Sequence, residues 1–146
     1  MSTSDLLSLV AVIIASISLL LQRRDANKQL LVANFSTYTK RYQEVIEKLP
    51  SCVVSDSFNI DEISDEDKEK VLRYMWIYFD LCAEEFFLYK QKLIPDNVWT
   101  IWKSGMLSSF ARPSFQQCWL LIKIRSHFPS EFVRFIDSSI RRGTNI

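Results

Sequence analysis

The sequence predicts an all-α protein, in which a single N-terminal transmembrane helix continues into a cytosolic helical bundle of about four to five helices. Three observations carry that expectation. An uncharged apolar run fills Leu6 to Leu21, apolar side chains recur at steps of three and four through most of the remaining chain, and Pro95, Pro113 and Pro129 punctuate the last third of the 146 residues. Setting the anchor aside leaves about 120 residues, enough for one compact domain and too few for two. The expected divisions are an anchor over 1–24, a membrane-proximal helix over 25–49 and a cytosolic helical domain over 50–146.

The anchor comes first. Counted with its uncharged flanks from Thr3 to Gln22, it reaches the roughly 20 residues that a helix needs to cross about 30 Å of hydrocarbon. A cleaved secretory signal would carry basic residues ahead of its apolar core, whereas the charge before Gln22 is Asp5 alone. The basic flank lies on the other side, at Arg23, Arg24 and Lys28, and such flanks stay cytoplasmic. The expected location is therefore the inner membrane, single-pass, with the N-terminus out and the C-terminal domain in the cytoplasm. Ser8, Ala11, Ala15, Ser18 and Gln22 follow alternating steps of three and four and share one helix face. Small residues on one face let membrane helices approach closely, so this stripe is the expected homo-oligomer interface.

Neither glycine nor proline occurs from Met1 to Leu49, and Leu31, Phe35, Tyr38, Tyr42, Val45 and Leu49 keep the helical spacing, so the helix continues past the membrane. At 1.5 Å per residue a helix from Asp5 to Leu49 would be about 65 Å long, with room for a hinge between Arg24 and Lys28. The apolar stripe of its second half fits either the protein's own domain or a parallel coiled coil, and the few repeats favour the domain. Pro50 ends it and 51–63 reads as a loop. Ser64 is the N-cap of the next helix, and Asp65, Glu66 and Asp67 suit its positive end. The acidic cluster there lacks the alternating ligands and central glycine of a calcium loop, so it reads as a solvated helix start.

The helix from Asp65 to about Leu93 is the expected centre of the domain. Val71, Met75, Phe79, Cys82, Phe86, Tyr89 and Leu93 form one apolar line; Leu72, Trp76, Ala83 and Phe87 form another. A narrow polar stripe runs through Glu66, Arg73, Asp80, Glu84 and Gln91. A helix apolar over most of its surface is surrounded by neighbours, which makes Asp80, Glu84 and Glu85 the expected buried polar residues. Glu85 points to the apolar side and needs a partner or a proton, with Arg112, Arg125 and Arg134 as candidate partners. Three shorter helices come next, from Pro95 to about Ala111, Pro113 to about His127 and Pro129 to about Arg142, since proline fits a helix's first turn. Their expected buried faces are Val98, Trp102, Met106 and Phe110; Phe115, Trp119, Leu121 and Ile122; and Phe132, Val133, Ile136 and Ile140.

Composition excludes several chemistries. One histidine, His127, and three scattered cysteines provide no zinc spacing, catalytic Cys/His pair or redox Cys-x-x-Cys, and two glycines cannot build a phosphate loop. Cys52, Cys82 and Cys118 are expected as free thiols in a reducing compartment, and His127 as a structural residue at a helix end. A net charge of +1 argues against nucleic acid as the main partner, while the basic segment after the anchor suits an anionic leaflet. No cofactor is expected. The partners expected are the lipid bilayer, further copies of the chain and a cytosolic protein.

The stretch from Tyr78 to Lys90, with Leu93-Ile94-Pro95 and Val98-Trp99-x-x-Trp102 after it, resembles a pattern in small uncharacterised bacterial proteins that place one membrane helix ahead of a helical cytosolic domain. A looser architectural likeness is to the HEPN-like membrane accessory protein of RNA-targeting CRISPR systems, which implies an oligomeric membrane pore in antiviral defence. The HEPN nuclease motif separates its Arg and His by several residues, whereas Arg125 and His127 are separated by one. The likeness therefore implies architecture without RNase chemistry. The expected function is a non-enzymatic, membrane-anchored helical module that self-associates and acts through protein contacts, with the oligomeric pore as the alternative.

Overall fold

The computed structural model describes residues 2–143, and among them every regular element is helical. Five α-helices occur in chain order: α1 (Thr3–Glu47), α2 (Asp65–Lys90), α3 (Asp96–Phe110), α4 (Pro113–Lys123) and α5 (Ser130–Gly143). The chain divides into two compact units, the first ending at Thr37 and the second beginning at Tyr38. The residues from Tyr38 onward thus belong with the bundle, and the segment expected over 25–49 is not a unit of its own.

In the first unit, Asp5 accepts a hydrogen bond from the Ser2 backbone N–H at 2.9 Å, the reach-back half of a capping box that sets the start of α1. The helix runs unbroken through Arg24 to Lys28, where the sequence leaves room for a hinge. α1 is long and apolar enough to cross a membrane, and none of its most apolar stretch is buried.

In the second unit, α2 packs on α3 and α4, and α3 packs also on α4 and α5. The core is aromatic. Tyr78 meets Phe79, Phe110 and Phe115 edge-on, and Phe79 lies 4.9 Å from Trp119 between ring centroids. A second cluster joins Phe86, Trp99, Phe132 and Phe135, with Tyr89 stacked on Trp99 at 4.5 Å. Edge-to-face and offset pairs of this kind add about 0.5–1.5 kcal/mol each beyond their burial. The C-terminal turns of α1 join this core through Val45, which is buried, and through Tyr42, whose ring lies 6.0 Å from that of Tyr78. Of the two readings for the stripe from Leu31 to Leu49, its portion from Tyr38 on faces the protein's own bundle.

The segment from Ser51 to Ile63 is not all loop, because Ser51–Val54 forms a 3₁₀ turn. Side chains of α4 hold it down. Buried Ser114 donates to the Val53 carbonyl at 2.7 Å, and the Gln117 amide both accepts from Ile60 N–H at 2.9 Å and donates to the Phe58 carbonyl at 2.8 Å. A segment without a backbone ladder satisfies its buried polar groups through these bonds.

The helix ends differ from the expected ones for local reasons. α2 stops at Lys90, short of Leu93, because Lys92 takes a left-handed conformation with φ 59°. The Leu93 N–H then bonds to the Leu88 carbonyl and the Lys92 N–H to that of Tyr89, a Schellman closure built without glycine. Pro95 caps α3 instead of opening it, and α4 ends at Lys123, so His127 lies in the connection before α5 and not at a helix end.

The second apolar line of α2 is only partly covered, with Leu72 and Ala83 half-buried. Trp76 and Phe87 are 39% and 56% exposed, and Leu93 from the first line is 67% exposed. Val71, Met75, Phe79 and Cys82 carry the burial, since α3 and α4 reach only one arc of the α2 surface.

Candidate functional site

Two groups of residues hold the candidate chemistry, one in each unit. In the first unit, Ser8, Ala11, Ala15, Ser18 and Gln22 are all exposed on α1, as are Arg23, Arg24 and Lys28 beyond them. Ser16, the serine off the stripe, donates to the Val12 carbonyl of its own helix at 2.8 Å and so satisfies its hydroxyl internally. The stripe is exposed, like every other face of this stretch, and is followed by the basic turn.

In the second unit, the expected trio on α2 separates. Asp80 and Glu84 lie at the surface, which corrects the expectation that they are buried, whereas Glu85 is 7% exposed. The division arises from rotation around the helix, since neighbouring residues point about 100° apart. Glu84 faces the C-terminal part of α1, where the Arg41 guanidinium grips both its oxygens at 2.7 and 3.3 Å and the Tyr38 hydroxyl donates to one at 3.3 Å. The Arg41 hydrogen bond holds the Glu84 carboxyl below the usual range. Arg41 also sits 5.5 Å over the Tyr38 ring, so one cation serves two partners.

Glu85 faces inward and has no such arrangement. Burial pushes its carboxyl up to about 8, the neighbouring Glu84 charge adds to that rise, and Arg41 opposes it. The expected partners Arg112, Arg125 and Arg134 are elsewhere: Arg112 caps α4, Arg125 comes just after that helix, and Arg134 lies exposed on α5. The arginine that reaches this region is Arg41, from α1, and it is committed to Glu84. Among the described residues no buried side-chain oxygen or nitrogen lacks a hydrogen-bond partner, so the Glu85 oxygens that bond no protein group reach solvent.

Glu85 lines a half-open cavity of about 120 Å³, bordered by Tyr38, Thr39 and Tyr42 from α1, Tyr78, Leu81 and Cys82 from α2, and Trp102, Gly105 and Met106 from α3. The Tyr38 and Trp102 rings lie 5.1 Å apart on one side. Tyr78 shares hydrogen bonds with the Ser109 and Cys82 side chains, and burial holds its hydroxyl well above the ordinary tyrosine range. Gly105 leaves open space, for a Cβ at that position would meet no atom within 4 Å. Periodicity alone places Trp102 and Met106 on a buried face; that they stop short of filling it is a property of the packing. A glycine in mid-helix among bulky residues is the available sequence signal for this space.

Cys52, Cys82 and Cys118 are free; burial pushes the Cys82 thiol well up and the Cys118 thiol up to about 12, far from a nucleophilic thiolate. Among the described residues no group of His, Cys, Asp and Glu converges in a way that could hold a metal ion. No protein-family model, curated protein or solved structure matches this chain.

Proposed function

We propose that this is a single-pass inner-membrane protein, N-terminus out, whose cytoplasmic helical bundle acts through protein contacts while the anchors of several copies associate along the small-residue stripe. One observation carries the reading. Every Leu, Ile and Val between Leu6 and Leu21 is 44–70% exposed, all round the helix. At about 1.5–3 kcal/mol for each aliphatic side chain covered, the free energy at stake exceeds the ~5–15 kcal/mol net stability of a whole domain. That surface needs a bilayer, and the run has the length for one.

The orientation rests on Arg23, Arg24 and Lys28 coming after the run. Self-association rests on Ser8, Ala11, Ala15 and Ser18 sharing a face otherwise bordered by larger aliphatics. The absence of ionisable side chains between Leu6 and Gln22 provides no path for an ion, which favours a tether over a pore.

The test takes the full-length protein through alkaline carbonate extraction, protease protection of a C-terminal tag in spheroplasts, and light scattering in a mild non-ionic detergent. The expected results are release by detergent alone, a tag shielded until the inner membrane is opened, and a defined oligomer. Changing Ser8, Ala11, Ala15 and Ser18 to Leu together should convert that oligomer to monomer. Extraction by carbonate would refute the anchor, and a monomer in both proteins would refute the stripe. Unitary conductance in planar bilayers would replace the tether with a pore.

A further inference from the structure

We propose that the cavity between α1, α2 and α3 binds a small organic ammonium ion, its cationic head against Glu85 and its alkyl body among the rings of Tyr38, Tyr42, Tyr78 and Trp102. The volume sets the size. At about 120 Å³ the cavity is a little smaller than the ~150 Å³ engineered cavity that takes up benzene, so it suits an occupant of about five non-hydrogen atoms.

The lining sets the charge. Aromatic faces carry negative potential and draw cations while repelling anions. The Glu85 carboxyl, on a residue that is 7% exposed and in the lining of the cleft, is the polar anchor for such an ion. Gly105, exposed on α3, borders the open side of that space, where a Cβ would meet nothing within 4 Å.

The surrounding charges permit a cation. From α1, Arg41 is neutralised by its two-oxygen pairing with Glu84 of α2, and Tyr38 donates to that same carboxylate. From α2, Tyr78 and Cys82 are held neutral by burial. The α3 lining, Trp102, Gly105 and Met106, carries no charge at all. An entering R–NH₃⁺ therefore meets one group able to answer it, the Glu85 carboxyl. On binding, that carboxyl gives its proton to solvent and remains as the carboxylate partner of the ammonium, so one proton leaves for each cation bound.

The experiment is calorimetric titration of the full-length protein in a non-ionic detergent at pH 7, using n-butylammonium and its neutral counterpart 1-butanol, each in two buffers of different ionisation enthalpy. The expected result is saturable binding of n-butylammonium, binding of 1-butanol at least tenfold weaker, and release of nearly one proton per ammonium. Glu85→Gln should weaken n-butylammonium at least tenfold and abolish the proton release. Gly105→Leu, which fills the space and leaves the carboxyl in place, should also remove binding, so the conclusion does not depend on one variant folding. Equal binding of the two ligands, retained ammonium affinity in Glu85→Gln, or no saturable heat at millimolar concentration would overturn the proposal. These outcomes are independent of oligomeric state and of membrane insertion.

Discussion

At single residues, Glu84 and Glu85 show how strongly placement overrides identity. The two are chemically alike and adjacent, yet Arg41 holds one carboxyl low while burial lifts the other to about 8. For Glu85 the folded state binds a proton more tightly than the unfolded chain does. Its contribution to stability is therefore greatest below the unfolded value of about 4.5 and falls as pH rises toward 8. At about 1.4 kcal/mol per unit, the loss is on the order of 3–5 kcal/mol between pH 4.5 and 9. Glu85→Gln removes the ionisation and keeps the shape, so it should match the parent near pH 4.5 and exceed it at pH 9 by that amount, measured by urea denaturation. Equal pH slopes for the two proteins would show that the carboxyl is hydrated in the folded state.

Among the elements, two junctions make quantitative tests. The first is the end of α2, where Lys92 sits at φ 59° in the position that glycine usually fills. A left-handed conformation costs a side-chain-bearing residue about 1–2 kcal/mol, partly offset by the greater entropy glycine has when unfolded. Lys92→Gly should raise stability by roughly 0.5–1 kcal/mol, read as a higher denaturation midpoint with unchanged slope. The second is the α4–α5 contact, where the Trp119 indole N–H donates to Asp137 at 2.8 Å and Lys123 approaches the same oxygen at 3.0 Å. Burial pushes the Asp137 carboxyl up, but these two donors outweigh it and hold it below the ordinary range. The stability it contributes is present above its unfolded value and is lost as pH falls through the lower folded value. Asp137→Asn should flatten that acid limb while lowering stability at pH 7 by about 1–2 kcal/mol, because the charge-assisted bonds become ordinary ones. An unchanged acid limb would assign the effect to other carboxylates.

For the whole molecule, these two titrations bracket one optimum. Asp137 weakens the bundle toward acid and Glu85 weakens it toward base, so stability should peak at about pH 4, between the unfolded values of 3.8 and 4.5, and Glu85→Gln should broaden that peak to higher pH. The division at Tyr38 adds another expectation. A fragment of residues 25–146 should stay in solution without detergent and unfold cooperatively, by circular dichroism, with the parent's pH profile. Loss of cooperativity would mean that the residues before 25 contribute to the bundle.

Features under local chemical control are legible in the chain itself. The apolar run, the Ser64 cap, the three prolines and the periodic faces are each written within a few neighbouring positions, and they suffice for an all-α chain and a helix fit to cross a membrane. Which faces are covered, and by what, is settled only when the helices meet. Periodicity groups Val71 with Phe79 and Trp76 with Phe87, but only the crossing of α3 and α4 buries the first pair and exposes the second. Likewise the arginine that serves Glu84 stands 43 positions away on α1, and the space beside Glu85 exists because Tyr38, Tyr42 and Trp102 meet around Gly105 without filling it. Pairings at such distances and the volumes they leave over depend on how helices cross, and a helical repeat carries no record of the crossing.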